Sequence, residues 1–462
     1  MPLAQINPGQ LRDVWSPYFK LTSFFYQVPG YHNISHHFLS RFKFYVYSAY
    51  YDRRDKRYVR IIAATKTRGP ERVWCRLFYP RATANRSGVY VSLTVLAKIK
   101  VIRENWNLKY SACFVLCPLR KEIGPPEVVS IVSRLRADPA HLLRVRNTDQ
   151  DPDFANRSAT DIPKKMAVCV KPFHYHYDQS LNILEFLELY SIMGIDHFFM
   201  YKHTLGEHVS CLLKDYEASG RLTMMPWDLN MLSQKEIRTE CQFAAFNDCL
   251  YRAMYRYSHV ALVDLDEFII PNHNYTLFDM LKWLQKRLNT WSTGSFSFQN
   301  AFFYLQWGDD PSVYNTIDRV ETGLITSRKT RRRAKLHPHK QRSKYICRPE
   351  VVVEAGNHFV WEFIPGHGTL NVPSDAAILH HYRVCEFGGD DCIKTTSAVD
   401  QTAYKYKPEL IERVGRKYNT MKDVCQLPDL PPLPTPPPVK KKKKLIIVNK
   451  SKLDNGKIKQ VI

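Results

Sequence analysis

Three carboxylates stand together at Asp264, Asp266 and Glu267, directly after the apolar run Val260-Ala-Leu-Val263. A run of this length, β-branched at both ends and with no polar side, predicts a strand buried on both faces, as in a parallel sheet. Ligands in open α/β sheets sit at the carboxyl ends of strands, and side-chain alternation predicts that Asp264 and Asp266 share one face there. Two carboxylates on one face suit a hard divalent cation, Mn2+ or Mg2+, with positions left open for substrate phosphates. Acids at a strand end also cap ordinary turns, and a three-residue motif matches often by chance. The residues elsewhere in the chain that would complete a site decide between the two readings.

Several such residues exist. His380 and His381 end the apolar run Ala376-Ala-Ile-Leu379, so one points inward and one outward; His381 with Asp264 and Asp266 would complete a site for Mn2+. Lys344 and Arg342 would add positive charge beside phosphates, where such clamps contribute on the order of 3 to 4 kcal/mol. Asp309 and Asp310 follow Trp307-Gly308 in a loop after a strand and are candidates for a general base, with Glu350 and Glu354 behind them; Trp307 is a candidate for stacking on a substrate ring. Asp-Asp-Pro is equally ordinary turn chemistry. Asp248 and Arg252, spaced i, i+4, form either a surface ion pair or a hold on a nucleoside, with Asn247 beside them. A second chemistry uses Asp-X-Asp after an apolar strand: in haloacid-dehalogenase-like phosphatases a Thr or Val usually follows two residues after the second Asp. Phe268 occupies that place here, which lowers the phosphatase reading.

The elements that must hold these residues alternate. Residues 166–170, 197–201, 222–225 and 260–263 predict strands, and residues 180–193, around 209–219, 240–255 and 277–288 predict helices, with Gly194 and Gly220 as C-terminal stops. Further strands are expected at 296–305, 344–353 and 376–383. Such alternation builds an α/β domain with a mostly parallel sheet covered by helices. The helix over 240–255 shows one apolar stripe and a polar face carrying Gln242, Asn247, Asp248 and Arg252. Ahead of it, short strands at 42–51, 58–65, 73–79, 89–93 and 112–117 predict a small β-rich domain. The resulting division is a lead-in or stem over 1–40, the β-rich domain over 41–140, a linker over 141–163, the α/β domain over 164–425, and a Pro-rich and Lys-rich tail over 426–462 expected to be disordered.

Composition narrows the class. The chain has 462 residues, 44% of them hydrophobic, with 67 basic and 44 acidic side chains for a net charge of +23. Nine lysines fall within 440–459 and nine basic residues within 328–344, so the excess is confined to two segments; no zinc-finger, RNP or helix-turn-helix pattern accompanies it, which argues against nucleic acid. Eleven cysteines without paired C-x-x-C spacing point to disulfides in an oxidising compartment. Cys385 and Cys392 flank a Gly-Gly loop that they could close, and the odd total leaves at least one thiol over. Sequons at Asn33, Asn85, Asn156, Asn274 and Asn449 point the same way. Neither a signal peptide nor a stretch approaching the ~18 to 20 apolar residues of a membrane span is visible.

Assembled in order, Tyr47-Ser-Ala-Tyr-Tyr-Asp52, Val170-Lys-Pro-Phe173, Gln242 through Asn247-Asp-Cys249, Val263-Asp-Leu-Asp-Glu-Phe268, Lys344-Tyr-Ile with Arg348-Pro-Glu350, and His380-His-Tyr-Arg383 resemble glycosyltransferase family 92, an animal family that includes β-1,4-galactosyltransferases. The resemblance runs from about Tyr45 to Tyr418. It implies a GT-A fold, Mn2+ and a nucleotide-sugar donor, UDP-galactose, transferred with inversion to a terminal galactose or fucose of a glycoprotein or glycolipid glycan. On the matched positions it implies metal binding by Asp264, Asp266 and His381, and donor binding by Lys171, Asn247, Asp248, Asp264, Arg342 and Lys344. It also implies a type II membrane protein of the Golgi; with no anchor in view, a truncated or secreted form is the expectation here. A secreted polyanion-binding protein using the basic segment 328–344 is the competing expectation.

Overall fold

The computed structural model describes residues 3–6, 11, 13–17, 43–54, 56–81, 89–149, 151, 161–386 and 389–436. Most of the expected lead-in, the sequons at Asn33, Asn85, Asn156 and Asn449, and the Lys-rich run lie outside the described residues.

From Met166 the chain alternates as its periodicity requires: β1 (Met166–Cys169), α1 (Ser180–Ile192), β2 (His197–Lys202), α2 (Glu207–Ala218), β3 (Leu222–Pro226), α3 (Gln242–Ala253) and β4 (His259–Leu262). There follow β5 (Glu267–Pro271), α4 (Leu277–Arg287), β6 (Thr293–Phe298), β7 (Asn300–Tyr304), β8 (Lys344–Cys347), β9 (Gly368–Asn371), β10 (Ala377–Arg383) and α5 (Lys407–Met421). A seven-stranded sheet has the order β3-β2-β1-β4-β8-β6-β9. It is parallel from β3 through β4, whereas β8 runs antiparallel to both β4 and β6. The neighbours of β1 are β2 on one side and β4 on the other, which makes the gap beyond their carboxyl ends a topological switch point, where open α/β sheets bind ligands.

Burial explains the apolar strands. Val168, Met200 and Ala261 face one core with α1, α2, α4 and α5, while Cys169, Tyr201 and Leu262 face a second core with α3. Two expected strands are each broken in two. Residues 296–305 change sheets at Gln299, so that β6 belongs to the large sheet and β7 pairs with β10 in a three-stranded sheet β5-β10-β7. The expected strand 344–353 stops at Cys347, because Pro349 lacks the N–H a ladder needs and opens a short 3-10 turn, Pro349–Val351.

The polar face of α3 does not meet water: all its residues are buried. What covers it is a ten-stranded sheet built from the N-terminal segment. In the strand Tyr58–Lys66 of that sheet, Ile61 and Ala63 face an inner core with Cys75 and Leu77, whereas Ile62 and Ala64 pack towards α3. The sheet includes Leu143–Arg146, paired parallel to Tyr45–Asp52, so part of the stretch read as linker is a strand. The molecule is thus layered as helices, sheet, α3 and second sheet.

Asp248 of α3 is the polar centre of that stack. With 0% exposure it accepts hydrogen bonds from Ser48 Oγ, from Tyr50 at 2.6 Å and from Tyr201 at 2.8 Å, and it pairs with Arg252 at 3.1 Å. Arg252 also reaches Asp13 at 3.1 Å. Nearby, Arg54 pairs with Asp52 and donates to Val352 O at 2.6 Å and to Tyr251 Oη at 2.7 Å. Burial alone would raise the Asp52 carboxyl, but Arg54 and Arg60 hold it far below the usual carboxylate range.

Four disulfides, Cys75–Cys117, Cys169–Cys249, Cys211–Cys425 and Cys385–Cys392, cross-link the chain, and Cys113, Cys241 and Cys347 are buried thiols. The chain stays packed past Cys425: Leu427 is buried, Tyr418 donates to Pro428 O at 2.9 Å, and Arg319 donates to Leu430 O and Pro431 O. The segment assigned by composition to a disordered tail is therefore held against the domain through Pro431. Among the described residues no helix is long and apolar enough to cross a membrane.

Replacing Asp248 strands three hydroxyls and leaves the buried Arg252 with one partner fewer, a change that costs about 3 to 5 kcal/mol where a buried pair is broken. Asp248→Ala should lower the thermal midpoint accordingly in scanning calorimetry. A loss of less than about 1 kcal/mol, within the range of an exposed pair, would rule out the central role of Asp248 in holding the two sheets together.

Candidate functional site

At the switch point the chain leaves β4 through Val263 and makes a turn at Leu265-Asp266 before β5 begins at Glu267. Asp264 and Asp266 therefore sit on a turn and do not share the face of a strand, contrary to the alternation argument. The turn is fixed from within: Asp264 N–H donates to Glu267 Oε2 at 2.9 Å, and Glu267 N–H donates to Asp264 O at 3.1 Å. Tyr190 of α1 donates to Glu267 O at 3.0 Å, and Tyr382 N–H donates to Asp266 O at 2.9 Å.

The two aspartates have separate surroundings. Asp264 lies between two ammoniums, Lys171 Nζ at 3.2 Å and Lys344 Nζ at 3.1 Å. Burial would raise its carboxyl, but these two cations hold it far below the carboxylate range. The Lys344 side chain has 0% exposure and also reaches Glu267 at 3.4 Å and Asn357 Oδ1 at 2.8 Å. Asp266, by contrast, exposes 47% of its side chain to the cleft and lies 3.3 Å from His381 Nε2.

His381 arrives from β10, paired directly with Glu267 across the ladder. Its Nδ1 faces Glu267 Oε1 at 3.2 Å and the Asn300 amide at 3.0 Å. Asn300 Oδ1 is buried without a partner, so turning that amide over would place a second acceptor on the Nδ1–H; amide orientation is assigned from such networks. With the proton on Nδ1, Nε2 keeps its lone pair for the cleft, the arrangement that orients a metal-ligating histidine. His380 faces the other way, fully buried against the Phe303 ring at 4.5 Å.

These side chains fit a divalent cation with two protein ligands. The 3.3 Å between Asp266 Oδ2 and His381 Nε2 is near the roughly 3 Å separating adjacent ligands of an octahedral ion with bonds of about 2.1 Å. Among the described residues no three His, Cys, Asp or Glu side chains form a complete metal site. Asp264 has Lys171 and Lys344 as its charge partners and stands outside the close pair formed by Asp266 and His381.

The site opens into a cleft of about 1200 Å³, which exceeds the usual range of small-molecule pockets, about 300 to 1,000 Å³. Lys171, Arg342, His358, Asp264, Asp266 and His381 line it. Seven expected site residues are elsewhere. Asp309 pairs with Arg328 at 3.0 Å and Lys329 at 2.7 Å, and Asp310 caps a short 3-10 helix by accepting from Ser312 N at 2.9 Å. Neither lines the cleft, nor does Glu350, which pairs with Arg348 at 2.8 Å. Glu354 is buried against Lys100 and Arg103 of the N-terminal domain. Trp307 donates its indole N–H to Ile393 O at 3.0 Å and is likewise outside the lining. Asn247 and Asp248 belong to the layer between the sheets: Asn247 bonds Phe243 O, Ala355 O and Ala355 N, so a nucleoside role for either has no opening.

The cleft carboxylates not yet assigned are Asp178, Glu185 and Glu386. Asp178 accepts from Val209 N and Glu185 from Ile325 N and Thr326 N, both capping helices. Glu386 pairs with Arg383 at 2.5 Å with its side chain 57% exposed. Within the basic segment, Arg328 and Lys329 are matched by Asp309, Arg332 by Asp400 and Lys344 by Asp264, which reduces the charge available to a polyanion.

A family model described as glycosyltransferase family 92 matches residues 164–422. The chain is 32% identical over 118 residues to glycosyltransferase family 92 protein F13G3.3 of Caenorhabditis elegans, covering 24% of this chain and 23% of that one. It is 24% identical over 285 residues to beta-1,4-galactosyltransferase galt-1 of the same organism, covering 61% and 62%. The chain thus spans less than two thirds of the length of the curated relatives it matches. Among solved structures, glucosyl-3-phosphoglycerate synthase from Mycobacterium tuberculosis aligns at 12% identity over 58% of this chain and 80% of that one, with a TM-score of 0.23. S. aureus TarS 1-349 aligns at 11% identity over 56% and 73%, with a TM-score of 0.27.

If Glu267 sets the tautomer of His381, Glu267→Gln should weaken Mn2+ binding 10- to 100-fold, the usual effect of losing an outer-shell partner. Calorimetric titration of the purified chain with Mn2+ measures this, with Asp266→Asn as the ligand control. Unchanged affinity in Glu267→Gln would remove the orienting role.

Proposed function

The chain belongs to glycosyltransferase family 92, and we propose that its cleft transfers galactose from UDP-galactose to a sugar hydroxyl of a glycan acceptor, with inversion and a β-1,4 linkage. The observation that carries this reading is the division of labour at residues 264–267: one aspartate neutralised by two ammoniums, the other open to the cleft beside a histidine. The matched family model and the beta-1,4-galactosyltransferase relative support the donor assignment.

In this reading Asp266 and His381 hold Mn2+, which would supply Lewis-acid stabilisation of the departing diphosphate. Lys171 and Arg342 reach the cleft and bind the phosphate oxygens. Lys344, without exposed surface, acts indirectly by holding Asp264 and Glu267 in place. The acceptor hydroxyl oxygen attacks the anomeric carbon from the side opposite the diphosphate. As that bond forms, the bond to the diphosphate oxygen breaks and its electron pair leaves with UDP. The hydroxyl proton goes to a carboxylate within hydrogen-bond reach; Glu386, exposed in the cleft wall, takes this role in place of Asp309, Asp310 and Glu350. The acceptor is a terminal galactose or fucose of a glycoprotein or glycolipid glycan, and the four disulfides support residence in the Golgi lumen or secretion from it.

UDP release from UDP-galactose, measured with β-galactoside and fucoside acceptors with and without Mn2+, tests the proposal. Release should need both metal and acceptor and disappear in Asp266→Asn. Glu386→Gln should lower kcat by about 10²- to 10⁴-fold, the contribution of a general base, while UDP affinity is retained. Absence of turnover across the acceptor panel would defeat the reading.

A further inference from the structure

The N-terminal β-rich domain enters the cleft at one turn, residues 103–107, and the whole turn is braced. Arg103 N–H donates to Glu354 Oε1 at 2.9 Å. The Glu104 carboxylate accepts from Asn357 N at 2.9 Å and from Trp361 Nε1 at 3.2 Å. Asn105 accepts from Asn107 N at 3.0 Å and donates to Ile102 O at 3.2 Å, and Asn107 accepts from Arg68 at 3.0 Å. The tip of this braced turn is Trp106, which lines the cleft with 62% of its surface exposed. The Arg238 guanidinium lies 4.2 Å from the Trp106 ring and lines the same cleft.

The backbone beneath that indole is costly. Trp106 and Asn107 have φ of +56° and +57°, a left-handed region that a bulky residue seldom adopts. The loop after β1 repeats the pattern: Tyr175 and His176 have φ of +55° and +50°, and Tyr175 also lines the cleft, 79% exposed. His176 N–H is held by Thr204 Oγ1 at 3.2 Å. Two exposed aromatic rings, each on a pair of left-handed residues and each facing one cleft, contribute little burial to set against the strain. Such outliers persist where the surrounding structure over-determines them, and they cluster at active sites, ligand clamps and switch regions.

We propose that Trp106 and Tyr175 form the acceptor subsite, gripping one pyranose ring of a neutral glycan. This inference rests on the cleft being a sugar-transfer site. The apolar C–H face of a pyranose stacks on an aromatic ring, and the N–H groups of Arg238, whose guanidinium carbon lies 4.2 Å from the centre of the Trp106 ring, are available to donate to the sugar's hydroxyls. The cations Lys171 and Arg342 provide for the diphosphate, and the volume beyond them is what an acceptor would fill. The β-rich domain thereby supplies one half of the acceptor site, braced through Glu104 on Asn357 and, through Asn357, on Lys344.

Trp106→Ala, Trp106→Phe and Tyr175→Ala in the full chain test this, with thermal midpoints to confirm folding. Both alanine variants should raise the acceptor KM at least tenfold with kcat at saturating acceptor changed less than threefold. Trp106→Phe, which keeps a flat ring, should recover most of the loss. UDP affinity, measured by calorimetry, reports the other ring that could stack here: a tenfold loss of UDP affinity with an unchanged acceptor KM would assign the aromatics to the nucleobase and overturn the proposal. A direct readout does not depend on turnover: saturation-transfer NMR with methyl β-galactoside should show ring protons contacting the wild-type chain and lose that signal in Trp106→Ala. If wild-type turnover is absent but this signal depends on Trp106, the transferase reading fails and takes the acceptor role with it, leaving a galactoside-binding site; if the signal is the same in both chains, the subsite itself fails.

Discussion

A lysine ammonium with no exposed surface lies between Asp264 and Glu267, and the rest of the cleft is arranged around its charge. Burial would drive a lone Lys344 towards neutrality; the two carboxylates reverse this and hold its pKa above the ordinary value. Without that ammonium Asp264 would keep only Lys171, and Glu267 would be a buried acid with no lysine partner. Because Lys344 matches Asp264 and Glu267, Asp266 is left as the most open of the three carboxylates at this turn. Glu267, held by Lys344 on one oxygen, presents the other to His381. Asn357, the third partner of Lys344, carries the connection outward to Glu104 of the N-terminal domain.

Much of the helical half of the molecule could be read from periodicity. The apolar spacing in α1 and α4, and the unbroken apolar strands β1, β2 and β4, each have a single reading, because a parallel strand between two helical layers has no polar side to display. The acids after β4 were also legible as a cluster. Their geometry was not, since alternation holds only within a strand and β4 stops at Leu262. The breaks at Gln299 and Pro349 were hidden for different reasons: a strand that changes sheets keeps its apolar residues, whereas Pro349 was a visible signal that a longer run of valines outweighed.

The polar residues misled more than the apolar ones. Asp248, Asn247 and Arg252 look like a solvent or ligand face because a helix with a polar stripe usually meets water. In this fold the stripe meets tyrosine and serine hydroxyls from another sheet some two hundred residues away in sequence, and no local pattern encodes such a partner. Asp309 and Asp310 failed similarly: a turn that caps a 3-10 helix and binds Arg328 and Lys329 uses the same residue types as a catalytic loop. Trp106 stood in a segment with no catalytic spacing, and only the fold brings it to the cleft.

The disulfide between Cys211 and Cys425 also orders events in time. Ribosomes add roughly 5 to 20 residues per second, so the 214 residues between these cysteines keep Cys211 waiting on the order of 10 to 40 s. Cys75 and Cys117, separated by 42 residues, can close while most of the α/β domain is still unmade. Cys249, whose mate Cys169 lies 80 residues earlier, emerges after Cys211, and with Cys241, Cys347, Cys385 and Cys392 it makes five wrong partners for the waiting thiol before Cys425 is made. Correct pairing then depends on α3 docking under β1 early enough to bury Cys169 and Cys249 together. The same docking delivers Asp248 to Ser48 and Tyr50, so the packing that buries this disulfide is also the packing that joins the two sheets.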